Sequence, residues 1–256
     1  MSTGPTPDVV GDLRAISLDD LEARAALLKR VDRKYVVERG VFAAFLERLA
    51  ADHDVLEIDG RRVFAYDSVY FDTPDLRCFR DHVADRRPRF KARTRLYRDS
   101  GLCHFEVKLK LASDETDKRK VDHPADRAGE LTDDAERVLA ETLPAADIDP
   151  PDALRATLRT AFDRLTLAAR DDSARVTCDL GVALGRPAGG DGAHIRDGLV
   201  LVESKSEGGD APADRVLAEL GQSPVSLSKY RVGIDLLVAR DGGADRASTR
   251  ALFAAG

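Results

Sequence analysis

Three features of the sequence predict an α+β protein built on an antiparallel sheet. The stretch Arg89–Tyr97, RFKARTRLY, places Arg89, Lys91, Arg93, Arg95 and Tyr97 at alternate positions with Phe90, Ala92, Thr94 and Leu96 between them. A Ser100-Gly101 turn joins it to CHFEVKLK, which alternates in the same way, so the pair reads as a β-hairpin. Ahead of these strands, Leu18, Leu21, Ala25 and Leu28 recur with helical spacing, as do Phe42, Phe45, Leu46 and Leu49.

Taken in order, residues 1–16 are rich in Pro, Gly and Asp and are expected to be loose. Ser17 and Asp20 form a capping-box pattern that opens the first helix, and a second helix is expected over Val41–Ala51. RRVFAYDSVYFDT reads as a strand ended by Thr73-Pro74, and DKRKVDH as the strand after the hairpin. A helical section with breaks at Pro144, Pro150 and Pro151 is expected over roughly Ala125–Ala169. Strand patterns return at ARVTCDLGV and GLVLVESK, either side of the glycine-rich GRPAGGDGAHIRDG. A short helix is expected near Ala211–Leu220, and SPVSLSKYRVGIDLLVA closes the ordered part. The reading is thus a single domain over 17–240 with a frayed tail over 241–256.

Composition narrows the function. The chain has 256 residues, 46 acids against 40 Lys and Arg, and a formal net charge of −6, which argues against a general nucleic-acid coat. Yet Arg86 to Arg98 holds seven Lys or Arg and no acid, a local patch suited to a compact anionic ligand. Three dispersed cysteines favour neither a disulfide framework nor a zinc site, and fit a cytoplasmic protein. The histidines lack HxxxH or HExxH spacing, GRPAGGDG lacks the Lys-Ser/Thr ending of a P-loop, and no apolar run is long enough to span a bilayer.

Alternate strand residues share a face at about 6.6 Å. Like charges at that distance repel by ~2–2.5 kcal/mol if the effective dielectric is about 20. The charged alternation also recurs: His104, Glu106, Lys108 and Lys110 share one face, Lys118 and Lys120 another, then Arg175, Thr177 and Asp179, then Glu203 and Lys205. Two architectures satisfy it. One is a sandwich with solvated charged faces; the other is a closed antiparallel barrel with a charged lumen and apolar faces packed outward on helices. A charged lumen would need water, metal and a polyanion, because burying unpaired charge costs several kcal/mol per group.

These segments resemble, in order and spacing, the VTC domain, the polyphosphate polymerase family of the triphosphate tunnel metalloenzyme (CYTH-like) superfamily. The segments are DRKY with Lys34, SVYFDT, KARTRLY, FEVKLK, DKRKV, RTAFDRLTL, RVTCDLGV, LVESK and SLSKYRVG, from about Arg33 to Gly233. No ExExK strand precedes Lys34, which favours this family over the adenylate cyclase and thiamine triphosphatase branch.

The resemblance implies a tunnel of about eight antiparallel strands with helices outside. It places phosphate-binding cations at Lys34, Arg93, Arg95, Lys108, Arg164 and Lys229, with Lys118 or Lys120 as a further tunnel lysine; Lys91, on the same strand face as Arg93 and Arg95, is expected to bind phosphate with them. It places the metal ligand at Glu203, for Mn²⁺ or Mg²⁺. Glu106 is either a second ligand or a counter-charge to Lys108 and neighbouring arginines, and Asp72, Tyr97 and Lys205 are expected in support. Tyr70 and Phe71 read as structural, with Asp72 available to orient an arginine, and Arg155 and Arg159 read equally as a solvated helical face or as ligand-binding cations. The implied activity transfers the ATP γ-phosphoryl group to a growing polyphosphate chain. Its rivals are a triphosphatase or nucleoside triphosphatase of the same fold and a non-catalytic polyphosphate-binding module. Nucleic acid and a membrane-spanning segment are not expected.

Overall fold

The computed structural model describes residues 8–24, 31–113, 115–239 and 251–255. In chain order its elements are α1 (Val9–Asp12), β1 (Ala15–Ile16), α2 (Leu18–Arg24), β2 (Val31–Glu38), α3 (Arg39–Leu49), β3 (His53–Leu56), β4 (Val63–Asp72), α4 (Arg77–Val83), β5 (Arg89–Tyr97) and β6 (Leu102–Lys110). There follow β7 (Thr116–Asp122), α5 (Asp133–Thr142), β8 (Arg155–Ala169), β9 (Ala174–Gly185), β10 (Gly192–Ile195), β11 (Leu199–Ser206), α6 (Pro212–Glu219), α7 (Lys229–Leu237) and β12 (Phe253–Ala255). The fold is α+β with one large, mainly antiparallel sheet. Among the described residues no helix is long and apolar enough to cross a membrane.

Eight strands follow one another by hydrogen bonding in the order β2, β11, β9, β8, β4, β5, β6, β7. The path does not close into the expected barrel: among the described residues β2 and β7 pair with one neighbour each. Local chemistry accounts for the open ends. The Lys34 carbonyl on β2 accepts from the Val225 amide at 2.7 Å. Strand β7 carries Lys118, Arg119 and Lys120 in succession, all exposed, the composition that discourages edge pairing.

The second departure is β8. Residues 155–169 form one strand where the sequence reading expected helix; helix is confined there to α5 and single 3-10 turns at Ala125–Arg127 and Pro144–Ala146. The reason is tertiary: β3 pairs with the strand's end, from His53 opposite Ala169 to Val55 opposite Leu167, and the β-branched Thr157, Thr160 and Thr166 suit an extended backbone.

Contacts group the chain into two compact units. The first runs to Phe64 and adds Phe162–Val182 and Ile195–Leu227. The second comprises Ala65–Ala161, Ala183–His194 and the chain from Ser228. In the first unit Tyr35 and Val37 of β2, Val200 and Val202 of β11, and Val176 and Cys178 of β9 pack with Phe42, Phe45, Leu46 and Leu49 of α3. Each such side chain contributes about 1.5–3 kcal/mol on burial. In the second unit Phe90 and Ala92 of β5 and Phe105, Val107 and Leu109 of β6 pack with Leu139 of α5 and Ile234 of α7. In each unit the sheet therefore gives its apolar face to helices, and the charged rows occupy the other face.

The Ser17–Asp20 cap forms, with the Asp20 amide donating to the Ser17 hydroxyl at 3.1 Å. Helix α1 and strand β1 lie within the segment expected to be loose, with Val10, Leu13 and Ile16 buried. An ionic knot holds them. The buried Asp54 carboxylate accepts from Arg14 at 2.8 and 2.7 Å, from Arg24 at 3.2 Å and from Arg170 at 2.7 Å. Burial opposes ionisation of Asp54, but the arginines outweigh it and bring the carboxyl from 3.8 down to about 2. A depressed carboxyl adds stability above the unfolded value that disappears as pH falls through the folded one. Asp54→Asn is therefore expected to lower the melting temperature at pH 6, with its gap from wild type narrowing between about pH 4 and pH 2; a gap constant over that range rules the knot out as a source of acid sensitivity.

Candidate active site

In the second unit, register builds the charged face tier by tier. Tyr70 lies opposite Arg93, and Arg93 opposite Glu106, which in turn faces Lys120. One tier along, Ser68, Arg95 and His104 are aligned; in the other direction Lys91, Lys108 and Lys118 are aligned. The hairpin glycine Gly101, at φ +72°, supplies the left-handed turn that fixes this register.

Glu106 anchors the row. Its side chain is 2% exposed and takes Arg93 Nε at 2.8 Å and Nη2 at 2.7 Å, and Lys118 Nζ at 2.5 Å. Burial alone would raise its pKa, but Arg93, Arg95 and Lys118 reverse this and hold the carboxyl well below the usual range. Glu106 is thus a counter-charge, and the partner it selects is Lys118, reached diagonally, while Lys120 is exposed on the same face. Burial likewise opposes charge on Arg93, yet Tyr70 and Glu106 keep the guanidinium firmly protonated. Its Nη1 donates to the Tyr70 hydroxyl at 2.9 Å, and its plane lies 5.6 Å from the Tyr70 ring centre.

Other expected residues lie around this row. Arg95 stands 5.6 Å from the Tyr66 ring centre, and Tyr66 packs on Tyr97 at 5.0 Å. Lys91 Nζ lies 3.4 Å from the Ser228 hydroxyl and 5.7 Å from the Tyr230 ring centre. Ser228 caps α7, accepting from the Arg231 amide at 3.4 Å, and Lys229 follows it; the Lys229 charge acts on Tyr70 together with Arg93 and Arg95. Among the described residues Asp72 orients no arginine through a hydrogen bond. Its buried carboxylate accepts from the Thr73 and Cys78 amides at 2.8 Å, the Phe79 amide at 3.1 Å and the Tyr230 hydroxyl, so it caps α4 and ties it to α7. Arg159 donates to Asp67 at 2.9–3.0 Å as a strand residue.

The first unit carries a second charged face. Glu203 of β11 is flanked by Lys34 of β2 and Thr177 of β9, and Lys205 by Asp32 and Arg175. Lys205 Nζ lies 3.0 Å from Glu203 Oε2 and donates to the Thr177 hydroxyl at 3.0 Å; Lys34 Nζ lies 3.5 Å from Oε1. Burial opposes ionisation of Glu203, but Lys205, Lys34 and Arg164 hold the carboxyl far below the usual range. Burial first, and then Arg164, bring Lys205 down to about 8 against the pull of Glu203. Arg164 is gripped by Asp179 at 2.6 and 2.8 Å in a two-point fork.

Sequence reasoning missed Asp179 as the holder of Arg164, and Tyr70 as a partner of Arg93. Asp179 shares strand parity with Arg175 and Thr177, which was signal enough to put it on the charged face. Tyr70 gave no such signal, because its register against Arg93 comes only with the β4–β5 pairing.

No curated protein matches the sequence. Among solved structures, a Hippeastrum candidate adenylyl cyclase described as having a dominant triphosphatase activity is 12% identical, with TM-score 0.48 over 82% of this chain and 98% of that one. The PH1012 protein of Pyrococcus horikoshii is 12% identical, with TM-score 0.46 over 78% and 98%. A candidate adenylate cyclase of Vibrio parahaemolyticus is 13% identical, with TM-score 0.44 over 78% and 94%. The family model for the VTC domain matches residues 29–238, which takes in both charged faces from Lys34 to Lys229. By that match the chain belongs to the VTC domain family.

Proposed function

We propose that this protein is a metal-dependent polyphosphate polymerase. ATP is the donor, inorganic phosphate or the end of a polyphosphate chain is the acceptor, and ADP is released. The observation that carries the reading is the row of Lys91, Arg93, Arg95, Lys108 and Lys118 on a sheet face whose reverse is the apolar core.

Phosphoryl transfer asks chiefly for charge neutralisation and in-line positioning. Arg93 and Arg95 offer planar forks to phosphate oxygens; Lys34, Lys108 and Lys229 offer mobile point charges. In the transfer, the bond from the γ-phosphorus to the β,γ-bridging oxygen breaks as a bond to an acceptor phosphate oxygen forms, and the electron pair leaves with ADP. A phosphate acceptor is already anionic at neutral pH, so its oxygen has no proton to lose. Water as the acceptor would have a proton to lose, which sets the hydrolytic alternative apart.

Glu203 is the residue that would hold a metal. An ionised, partly buried single carboxylate fits a hard cation such as Mg²⁺ or Mn²⁺, which takes its other ligands from water and phosphate oxygens. Among the described residues no three His, Cys, Asp or Glu side chains gather as a cage, which fits zinc poorly. When bound, such a cation neutralises charge developing on the phosphoryl oxygens.

Incubation with ATP and Mn²⁺, followed by ³¹P NMR, is expected to show long phosphate chains and ADP. Orthophosphate alone would establish the hydrolase instead, and unreacted ATP the binding module. Glu203→Gln is expected to lower turnover by several orders of magnitude while metal-free tripolyphosphate binds as well or more tightly, by a Coulomb contribution of about 1 kcal/mol. Wild-type turnover in that variant moves the metal-ligand assignment away from Glu203.

A further inference from the structure

Two buried hydroxyls on β4 are not accounted for by the cation rows. Ser68 is 2% exposed and among the described residues its Oγ has no hydrogen-bond partner. Tyr70 is 7% exposed; its hydroxyl accepts from Arg93 Nη1 at 2.9 Å, and among the described residues nothing accepts its own proton. The two side chains share a strand face, directly across from Arg95 and Arg93. An unpaired buried hydroxyl is costly, and native interiors rarely keep one without a purpose. Here both lie beside guanidinium groups that attract anions.

Resting on the phosphate reading of this site, we propose that the Ser68 and Tyr70 hydroxyls form a neutral donor row that hydrogen-bonds the non-bridging oxygens of the phosphate ligand gripped by Arg93 and Arg95. The chemistry is complementary. A phosphoryl oxygen has more acceptor capacity than one guanidinium edge uses, and a hydroxyl donor adds a directional bond without adding charge to a face that already repels itself. Tyr70 is suited to donate rather than accept a second time, because Arg93 already occupies one lone pair. Its ring is fixed 5.1 Å from that of Tyr230, which is itself held by Asp72, so the donor is preorganised. Burial alone would raise the pKa of its hydroxyl, but the charges of Arg93, Arg95 and Lys229 outweigh it and bring it below that of an ordinary phenol, which strengthens the O–H as a donor.

A structural role and a ligand-binding role predict opposite results for Ser68→Ala. Removing an unpaired buried hydroxyl is expected to leave the melting temperature of the ligand-free protein level or higher. The same change should weaken metal-free tripolyphosphate, measured by titration calorimetry, about three- to tenfold, the equivalent of one hydrogen bond. Tyr70→Phe should weaken it by a similar factor, with the salt dependence of the dissociation constant unchanged because no charge is lost. Unchanged affinity in both variants overturns the proposal. So does a loss confined to Tyr70→Phe with a shallower salt dependence, which would mean that Tyr70 acts only by steadying Arg93. If wild type does not bind tripolyphosphate while Ser68→Ala keeps its stability, the phosphate reading itself fails, and this assignment with it.

Discussion

Cation repulsion across a sheet face is the constraint around which this molecule is arranged. Arg93, Arg95, Lys91, Lys108 and Lys118 occupy adjoining positions on three strands, where each neighbouring like pair costs a few kcal/mol at an effective dielectric of about 20. Glu106 offsets part of that cost in the second unit and Glu203 does so in the first, each between two cations. Both carboxylates are consequently locked in the ionised state. That electrostatic arrangement makes them counter-charges to the cation rows.

The apolar faces make the arrangement sustainable. Because strand side chains alternate, a row of cations on one side forces Phe90, Ala92, Phe105, Val107 and Leu109 to the other, where α5 and α7 cover them. In the first unit the same logic places Tyr35, Val176 and Val202 against α3. A one-residue slip would bury the cations in these cores, so the energetics of the core and the identity of the site are fixed by one register.

Much of this was legible in the sequence, for a physical reason: strand alternation is a local code. RFKARTRLY and CHFEVKLK announce their faces without reference to the rest of the chain, and LVESK places Glu203 and Lys205 together in the same way. What could not be read locally was anything decided by a neighbouring strand. Leu158, Phe162 and Leu165 fit helical spacing as well as burial in a strand, and only pairing with β3 and its other neighbours settles β8 as extended. Lys118 and Lys120 have the same parity, and reach across the strand decides that Lys118 meets Glu106. Asp72 looked free to orient an arginine until α4 brought it two amides and α7 a phenol.

A polyanion site and a solvated exterior differ in how the charged face of the second unit responds to ligand. Thermal unfolding of wild type and of Arg93→Ala/Arg95→Ala, at low and high salt, with and without long-chain polyphosphate, separates the two. A ligand that binds the native state alone adds RT ln(1 + [L]/Kd) to stability. The account predicts a large upward shift of the wild-type melting temperature at low salt that shrinks at high salt, and little shift in the double variant. No shift of the wild type at low salt would contradict it.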